Sequence, residues 1–470
     1  MDGADRLVTR NFLALGGGEA LARVVGFVAT IYIARVLGAS SYGIIEFAAA
    51  IVLYASRVAD GGIDLGLGVR EIAAHPARLP KLVPPLLSAR LVLSVLLTGL
   101  LSAIGIWLLP QPEGRVLALY SLTLVAVGAG TRWIHLGLER ARPVAVAQTL
   151  GQVLMVALVI AVVRVPADLV RVPMARVAGD LAAAMILLAA LRGRGIRLTL
   201  QWDWSLLRPL LGRAWPLVLS SLLGLIMYNS DLIFLRVFRS AAHVGYYAAA
   251  YALISFLANL GTAYSLSLLP TATRLGREAD RQRRLLDTAT ARVVAVGLPL
   301  AIGGSFLAGP VIALVFGPAY QPAALALAIL LWSVPLGLLR DIPIVALMAV
   351  RREVLVLRLT AWAAGLNLIL NLLLIPRYGI LGAAGASVAT EGVRWIVALA
   401  YSGLMGFRFP RFSRFRKTLL AGGAMAAVLL FATALPLFLA AACGAGAYLA
   451  TLWGAGGIRW RGGELPRLDV

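Results

Sequence analysis

Four carboxylates in this chain lie one helical turn from an arginine within long apolar stretches: Glu19 with Arg23, Asp60 with Arg57, Asp180 with Arg176 and Glu391 with Arg394. A spacing of three or four residues places such partners on one helix face. Each is either a self-neutralised pair or an anion site that opens when a phosphate displaces the carboxylate, since guanidinium grips both bidentately. Arg90, Arg132, Arg292, Arg340 and Arg358 lie within about two turns of the ends of apolar runs, where they either snorkel to lipid headgroups or form a cationic vestibule. At 100° per residue Tyr42, Glu46, Arg57, Asp60 and Asp64 fall within about 40° of one line, as a stripe facing water would. Residues 244–262 carry a neutral counterpart in Tyr251, Ser255, Asn259 and Thr262, and Tyr228-Asn229-Ser230-Asp231 interrupts another apolar run. Asp231 has no basic neighbour within a turn except the more distant Arg236, which marks it, with Glu19, as a carboxylate able to exchange partners or protonate.

These residues must be held by membrane helices. The 470 residues are 61% apolar and 14% charged, with a mean hydropathy of +0.89, whereas soluble domains run nearer ~25% charged. Apolar runs bounded by charge, proline or glycine predict about fourteen spans, near 10–35, 42–66, 84–109, 115–138, 143–164, 168–191, 212–236, 243–270, 287–316, 322–347, 353–375, 380–406, 418–435 and 437–455. The first is expected to stay in the mature protein as a span. Alternate loops hold 27 and 7 of the 43 Lys and Arg residues, so by the positive-inside rule both termini are expected in the cytoplasm of a multi-pass cell-membrane protein. The net charge of +22 lies in short clusters between spans, which argues against nucleic-acid binding. Nine arginines remain inside spans, and at ~2.5–3.5 kcal/mol each for a lipid-facing central position their cost requires that most face protein, water or headgroups.

The chain repeats itself at about 202 residues. Tyr42-Gly43-Ile44-Ile45 returns as Val244-Gly245-Tyr246-Tyr247, Arg90 as Arg292, and Arg57 falls opposite Asn259. Both halves start on the same side, so they are expected to be parallel six-helix lobes related by a pseudo-twofold along the membrane normal. The expected organisation is an N-terminal lobe at 1–195, a cytoplasmic linker at 196–211, a C-terminal lobe at 212–406, and a terminal helix pair with a tail at 407–470. There is no GxxxxGK[ST], HExxH or GxSxG motif. The lone Cys443 and the scattered His75, His135 and His243 argue against a metal site or disulfide framework. No bound cofactor and no catalytic residues are expected.

The stretch Ala34-Arg35-Val36-Leu37-Gly38-Ala39-Ser40-Ser41-Tyr42-Gly43, then Ala59-Asp60-Gly61-Gly62-Ile63 and Val69-Arg70-Glu71-Ile72-Ala73, resembles the opening of the polysaccharide flippases of the multidrug/oligosaccharidyl-lipid/polysaccharide exporter superfamily. Asn367, Asn371 and Ile375-Pro376-Arg377-Tyr378-Gly379-Ile380-Leu381-Gly382-Ala383-Ala384 resemble its C-terminal part. The resemblance implies a two-lobed, all-α bundle that carries a polyprenyl-diphosphate-linked oligosaccharide from the cytoplasmic to the outer leaflet by alternating access. It also implies phosphate-binding arginines on the first two spans, where Arg23 and Arg57 fall, and one on span 8, where this sequence has none. Arg23, Arg57, Arg90, Arg292 and Asn259 are therefore the expected contacts for the diphosphate and headgroup. Glu19, Glu46, Asp60, Asp231 and Glu391 are the expected coupling or gating carboxylates, driven by Na+ or H+. The expected partners are the lipid-linked oligosaccharide, membrane lipids and a polysaccharide polymerase. A multidrug antiporter of the same superfamily would require a more acidic cavity for organic cations. A membrane-embedded glycosyltransferase using Asp60 and Asp64 would require a large extracytoplasmic loop, and the outer loops here are short.

Overall fold

The computed structural model describes residues 3–192, 199–275, 279–404, 415–432, 435–459 and 467–468; the side chains of Asn259 and Thr262 lie outside the described set. It is helical apart from a two-residue antiparallel pairing of Ile458–Arg459 with Arg467–Leu468. Eleven helical stretches among the described residues are long and apolar enough to cross a membrane. One of them, Gly16–Asp60, is 45 residues long, roughly 67 Å at 1.5 Å per residue, twice the thickness of the hydrocarbon core. Counting it twice, and adding Ile380–Leu404 and the shorter Arg416–Phe431, is consistent with the fourteen expected.

The chain divides into two compact units, one of residues 1–225 and 240–245, the other of 226–239 and 246–470. The chain passes from one unit to the other inside the helix Trp204–Phe238.

In the first unit the helices are α1 (Gly3–Asp60), α2 (Gly68–Ala74), α3 (Leu79–Leu108), α4 (Glu113–Ser121), α5 (Thr123–Ala129), α6 (Arg132–Gly137), α7 (Ala141–Val162) and α8 (Arg171–Ala189). Helix α1 is two spans joined at Gly38, whose φ of 75° only glycine adopts without strain. A Cβ at Gly18 would press on Ala145 near the start of α7, and Tyr32 donates to the carbonyl of Val163 just past its end. Past Gly38, Glu46 faces Arg176 near the start of α8, so the chain has reversed. Close beyond the turn, Gly43 lies against the carbonyl of Ala241, and Gly245 lies against the carbonyl of Ala39. Gly43 and Gly245, and likewise Ala39 and Ala241, are related by the 202-residue repeat, so the contact is reciprocal. No side chain fits either position.

The second span does not run as one α-helix to residue 66. It ends at Asp60, passes through Gly61 and Gly62 at positive φ, and continues as a π turn over Ile63–Leu67. The expected span 115–138 is likewise broken into α4, α5 and α6. Ile63, Leu67, Ile72, Val83, Trp133 and Leu207 form one apolar cluster around the first of these breaks.

The second unit holds the rest of α9 (Trp204–Phe238) and α10 (Ala241–Leu275), then α11 (Ala279–Phe316), α12 (Ala323–Leu330), α13 (Ser333–Ala349), α14 (Glu353–Tyr378) and α15 (Ile380–Leu404), with the pair α16 (Arg416–Phe431) and α17 (Leu437–Gly454). The terminal pair packs on α11: Tyr448 donates to the carbonyl of Ala295 at 2.7 Å, and Gly422 lies against Leu298 and Ile302.

Candidate functional site

In the first unit Arg90 governs the charge arrangement. It is 2% exposed and pairs with Asp60 at 3.3 Å and Asp64 at 3.1 Å. It also donates to the carbonyls of Val127 (2.9 Å) and Gly130 (3.0 Å) where α5 ends. Asp64 accepts from the backbone N–H of Trp133 in the first turn of α6. A cation at one helix C-terminus and an anion at the next N-terminus match the helix dipoles at this break and satisfy backbone groups the break leaves open. Arg90 was expected to offer its fork to a substrate, but here two carboxylates and two carbonyls take it up. Arg292, its repeat counterpart, is exposed and without a partner among the described residues. The reason lies in the sequence: the positions matching Asp60 and Asp64 are Thr262 and Leu266.

Asp60 was expected to pair with Arg57, but its ion pair is with Arg90. Arg57 is half-buried, its Nε is buried without an acceptor, and no ion pair of its own is found among the described residues. Glu19 lies 3.9 Å from Arg23 and 3.3 Å from Arg132, so one carboxylate serves two arginines. Arg176 pairs with Asp180 at 3.0 Å, as the spacing predicts. Glu19, Arg23, Arg176 and Asp180 line a cavity of about 490 Å³ together with Gln148 and Gln152. Glu46 accepts from Tyr42 and faces Arg176. Tyr42 and Asp60 are 2% and 4% exposed, so the stripe of the second span is packed within the unit rather than laid open along its length.

In the second unit Asp231 on α9 is 1% exposed. Tyr247 and Ser387 donate to its Oδ2 and Asn371 to its Oδ1. Its described partners are all neutral, although it is a buried carboxylate. Asn371 also donates to Ser230 and to Asn367, while its own Oδ1 is buried without a donor. Nearby, Glu391 pairs with Arg394 at 3.1 Å, as the spacing predicts, and with Arg340 at 2.7 Å. Arg340 also pairs with Asp341 at 2.6 Å and donates to the Tyr228 hydroxyl at 3.2 Å. It was expected near a helix end, where headgroups could take it up, yet it is 9% exposed. Sequence reasoning missed Asp341, Tyr247 and Ser387 as site residues, and it named Arg340 only among the arginines near the ends of apolar runs. Only the adjacent Arg340-Asp341 and the isolated Tyr228-Asn229-Ser230-Asp231 signalled them. The expected contact Asn259 lies outside the described side chains.

The sequence profile of the polysaccharide biosynthesis protein family matches residues 8–275, more than half of the chain. The chain belongs to that family. Among its relatives, the probable flippase AglR of Haloferax volcanii is 29% identical over 208 residues, covering 42% of this chain and 43% of that protein. The probable low-salt glycan biosynthesis flippase Agl15 of the same organism is 25% identical over 186 residues, 39% of each. The matches thus span well under half the length of either relative. The family member's fold is shared with the lipid II flippase MurJ in its inward closed conformation, with a TM-score of 0.77 over 93% of this chain and 97% of that one at 13% identity. An inward-facing multidrug transporter of the MATE family aligns with a TM-score of 0.62 over 82% and 94% at 17% identity. At these identities the likeness is one of fold. The all-α, multi-pass membrane architecture expected from the apolar runs stands.

Proposed function

We propose that the protein carries an oligosaccharide linked to a polyprenyl diphosphate from the cytoplasmic to the outer leaflet, by alternating between inward- and outward-open forms. Membership of the polysaccharide biosynthesis family and the flippase-named relatives support this, as does the fold shared with a lipid II flippase. The observation that carries it is the arginine surplus of the first unit. Arg57 has no carboxylate within ion-pair distance among the described residues, and Arg23 and Arg132 divide one. A diphosphate cannot cross hydrocarbon unaided, and half-buried guanidinium groups not fully matched by carboxylates are the chemistry that would receive it. The lipid tail stays in the bilayer, and both termini face the cytoplasm. A polymerase that consumes the flipped glycan is the natural downstream partner.

Asp231 is the proposed coupling site. Its neighbours supply oxygens suited to a hard monovalent cation, and the undonated Oδ1 of Asn371 fits such a ligand set. A proton on the carboxylate is the other form the coupling takes. The alternating transition would then exchange the ion as the glycolipid leaves.

Replacing Arg57 with Gln is expected to abolish flipping at near-normal folded yield, with Lys restoring only part of the rate because it lacks the bidentate fork. Full flipping by Arg57→Gln would show the arginine to be structural.

A further inference from the structure

A cavity of about 410 Å³ in the second unit has a chemistry that neither diphosphate binding nor ion coupling uses. Its volume is that of a small-ligand site. Tyr228 and Tyr251 line it with aromatic rings, Asn229 and Asn367 with amides, and Arg340, Asp341 and Glu391 with charge.

The charge cancels. Arg340 and Arg394 are matched by Asp341 and Glu391 in ion pairs of 2.6–3.1 Å. An entering diphosphate would meet two carboxylates and no uncommitted guanidinium, and an organic cation would meet no uncommitted carboxylate. What the cavity leaves open is neutral hydrogen bonding and ring surface. Asn229 has no hydrogen-bond partner among the described residues, and Asp341 is engaged through Oδ1 alone. An amide both accepts from and donates to adjacent hydroxyls, an ionised carboxylate accepts from them, and a tyrosine face packs against the C–H side of a sugar ring while its hydroxyl stays paired.

We infer that this cavity is a saccharide subsite, holding a short segment of the oligosaccharide headgroup. The inference rests on the flippase reading and extends it from the diphosphate to the sugar. The cavity also shares atoms with the buried carboxylate: Ser387 lines it and donates to Asp231 at 2.9 Å, and Asn367 lines it and accepts from Asn371. A sugar hydroxyl that competes for Ser387 or Asn367 therefore acts directly on the hydrogen bonds that hold Asp231.

The test uses the full chain in detergent with Cys443→Ser, which removes the one native thiol, and Asn229→Cys as the reporter. Maleimide labelling is timed with three soluble probes: the glycan released by mild acid from the host's lipid-linked oligosaccharides, inorganic pyrophosphate, and ethidium. Ser255→Cys, at a second lining position, is run in parallel in case Asn229→Cys fails to fold. The glycan is expected to slow labelling at least fivefold, pyrophosphate and ethidium not at all, and Asp341→Asn is expected to weaken the protection at least threefold. Protection by pyrophosphate or ethidium instead, or by none of the three, overturns the subsite. Flux of the lipid-linked oligosaccharide by the wild type is measured alongside. Flux without glycan protection overturns the subsite alone, whereas protection without flux overturns the flippase reading and leaves a saccharide site standing.

Discussion

Replacing Arg90 with Met keeps the length of the side chain and removes its charge. Asp60, 4% exposed, then loses its cation, and the carbonyl of Gly130 loses its donor, while that of Val127 keeps the N–H of Gly130. Breaking a buried ion pair from one side costs about 3–5 kcal/mol, and the one carbonyl left without a donor costs about 1–3 kcal/mol. Asp64 is 27% exposed, so solvent recovers part of its loss. Taking the low end of each range, the total is about 4 kcal/mol, most of the stability of a marginal domain and a shift of roughly a thousandfold in the folded ratio. Arg90→Met is therefore expected to give little monodisperse protein on size exclusion in detergent. Adding Asp60→Asn and Asp64→Asn is expected to restore much of the yield, because no charge is then left buried without a partner. The opposite outcome would refute the structural role: Arg90→Met with a wild-type yield and thermal midpoint, but with flipping lost, would make Arg90 a substrate contact.

Leucine at Gly43 or at Gly245 has no room against the Ala241 and Ala39 backbones, so each variant is expected to lower the thermal midpoint, whereas Gly99→Leu, where a side chain meets open space, serves as the neutral control. Equal stability of all three would show that the reciprocal crossing does not form. Asp231→Asn is expected to remove the dependence of flipping on an imposed pH or sodium gradient while leaving a basal rate, and a gradient response identical to wild type would place coupling elsewhere. Reporters fused after Arg284 and at the C-terminus are expected to read cytoplasm and one in the 317–321 loop the outside; an outside signal at the C-terminus would remove one span from the terminal pair.

The apolar runs made the span map legible because a bilayer imposes a length and a composition on every crossing. Charge pairs within one helix were legible for the same kind of reason: Arg176 with Asp180 and Glu391 with Arg394 need only a helical period. Partners from different helices were not. Arg90 finds Asp64 across 26 residues and Arg340 finds Glu391 across 51, and nothing local distinguishes a buried, committed arginine from one that snorkels. The stripe through Asp64 assumed that the helical period continues, and Gly61 and Gly62 end it at Asp60. The two aspartates still converge on one guanidinium, but through a π turn that no helical wheel draws. The 202-residue repeat correctly marked Gly43 and Gly245 as equivalent, and it misled at Arg292, where the carboxylates that bury its counterpart are missing.

The central claim is that a lipid-linked oligosaccharide is the cargo. Purified protein in sealed vesicles, given a fluorescent polyprenyl-diphosphate oligosaccharide in one set and a cationic dye in another, tests it directly. Protein-dependent movement of the glycolipid between leaflets, lost in Arg57→Gln, with no dye flux above empty vesicles, is the expected result. Dye accumulation with a stationary glycolipid would contradict it and make the protein a cation exporter.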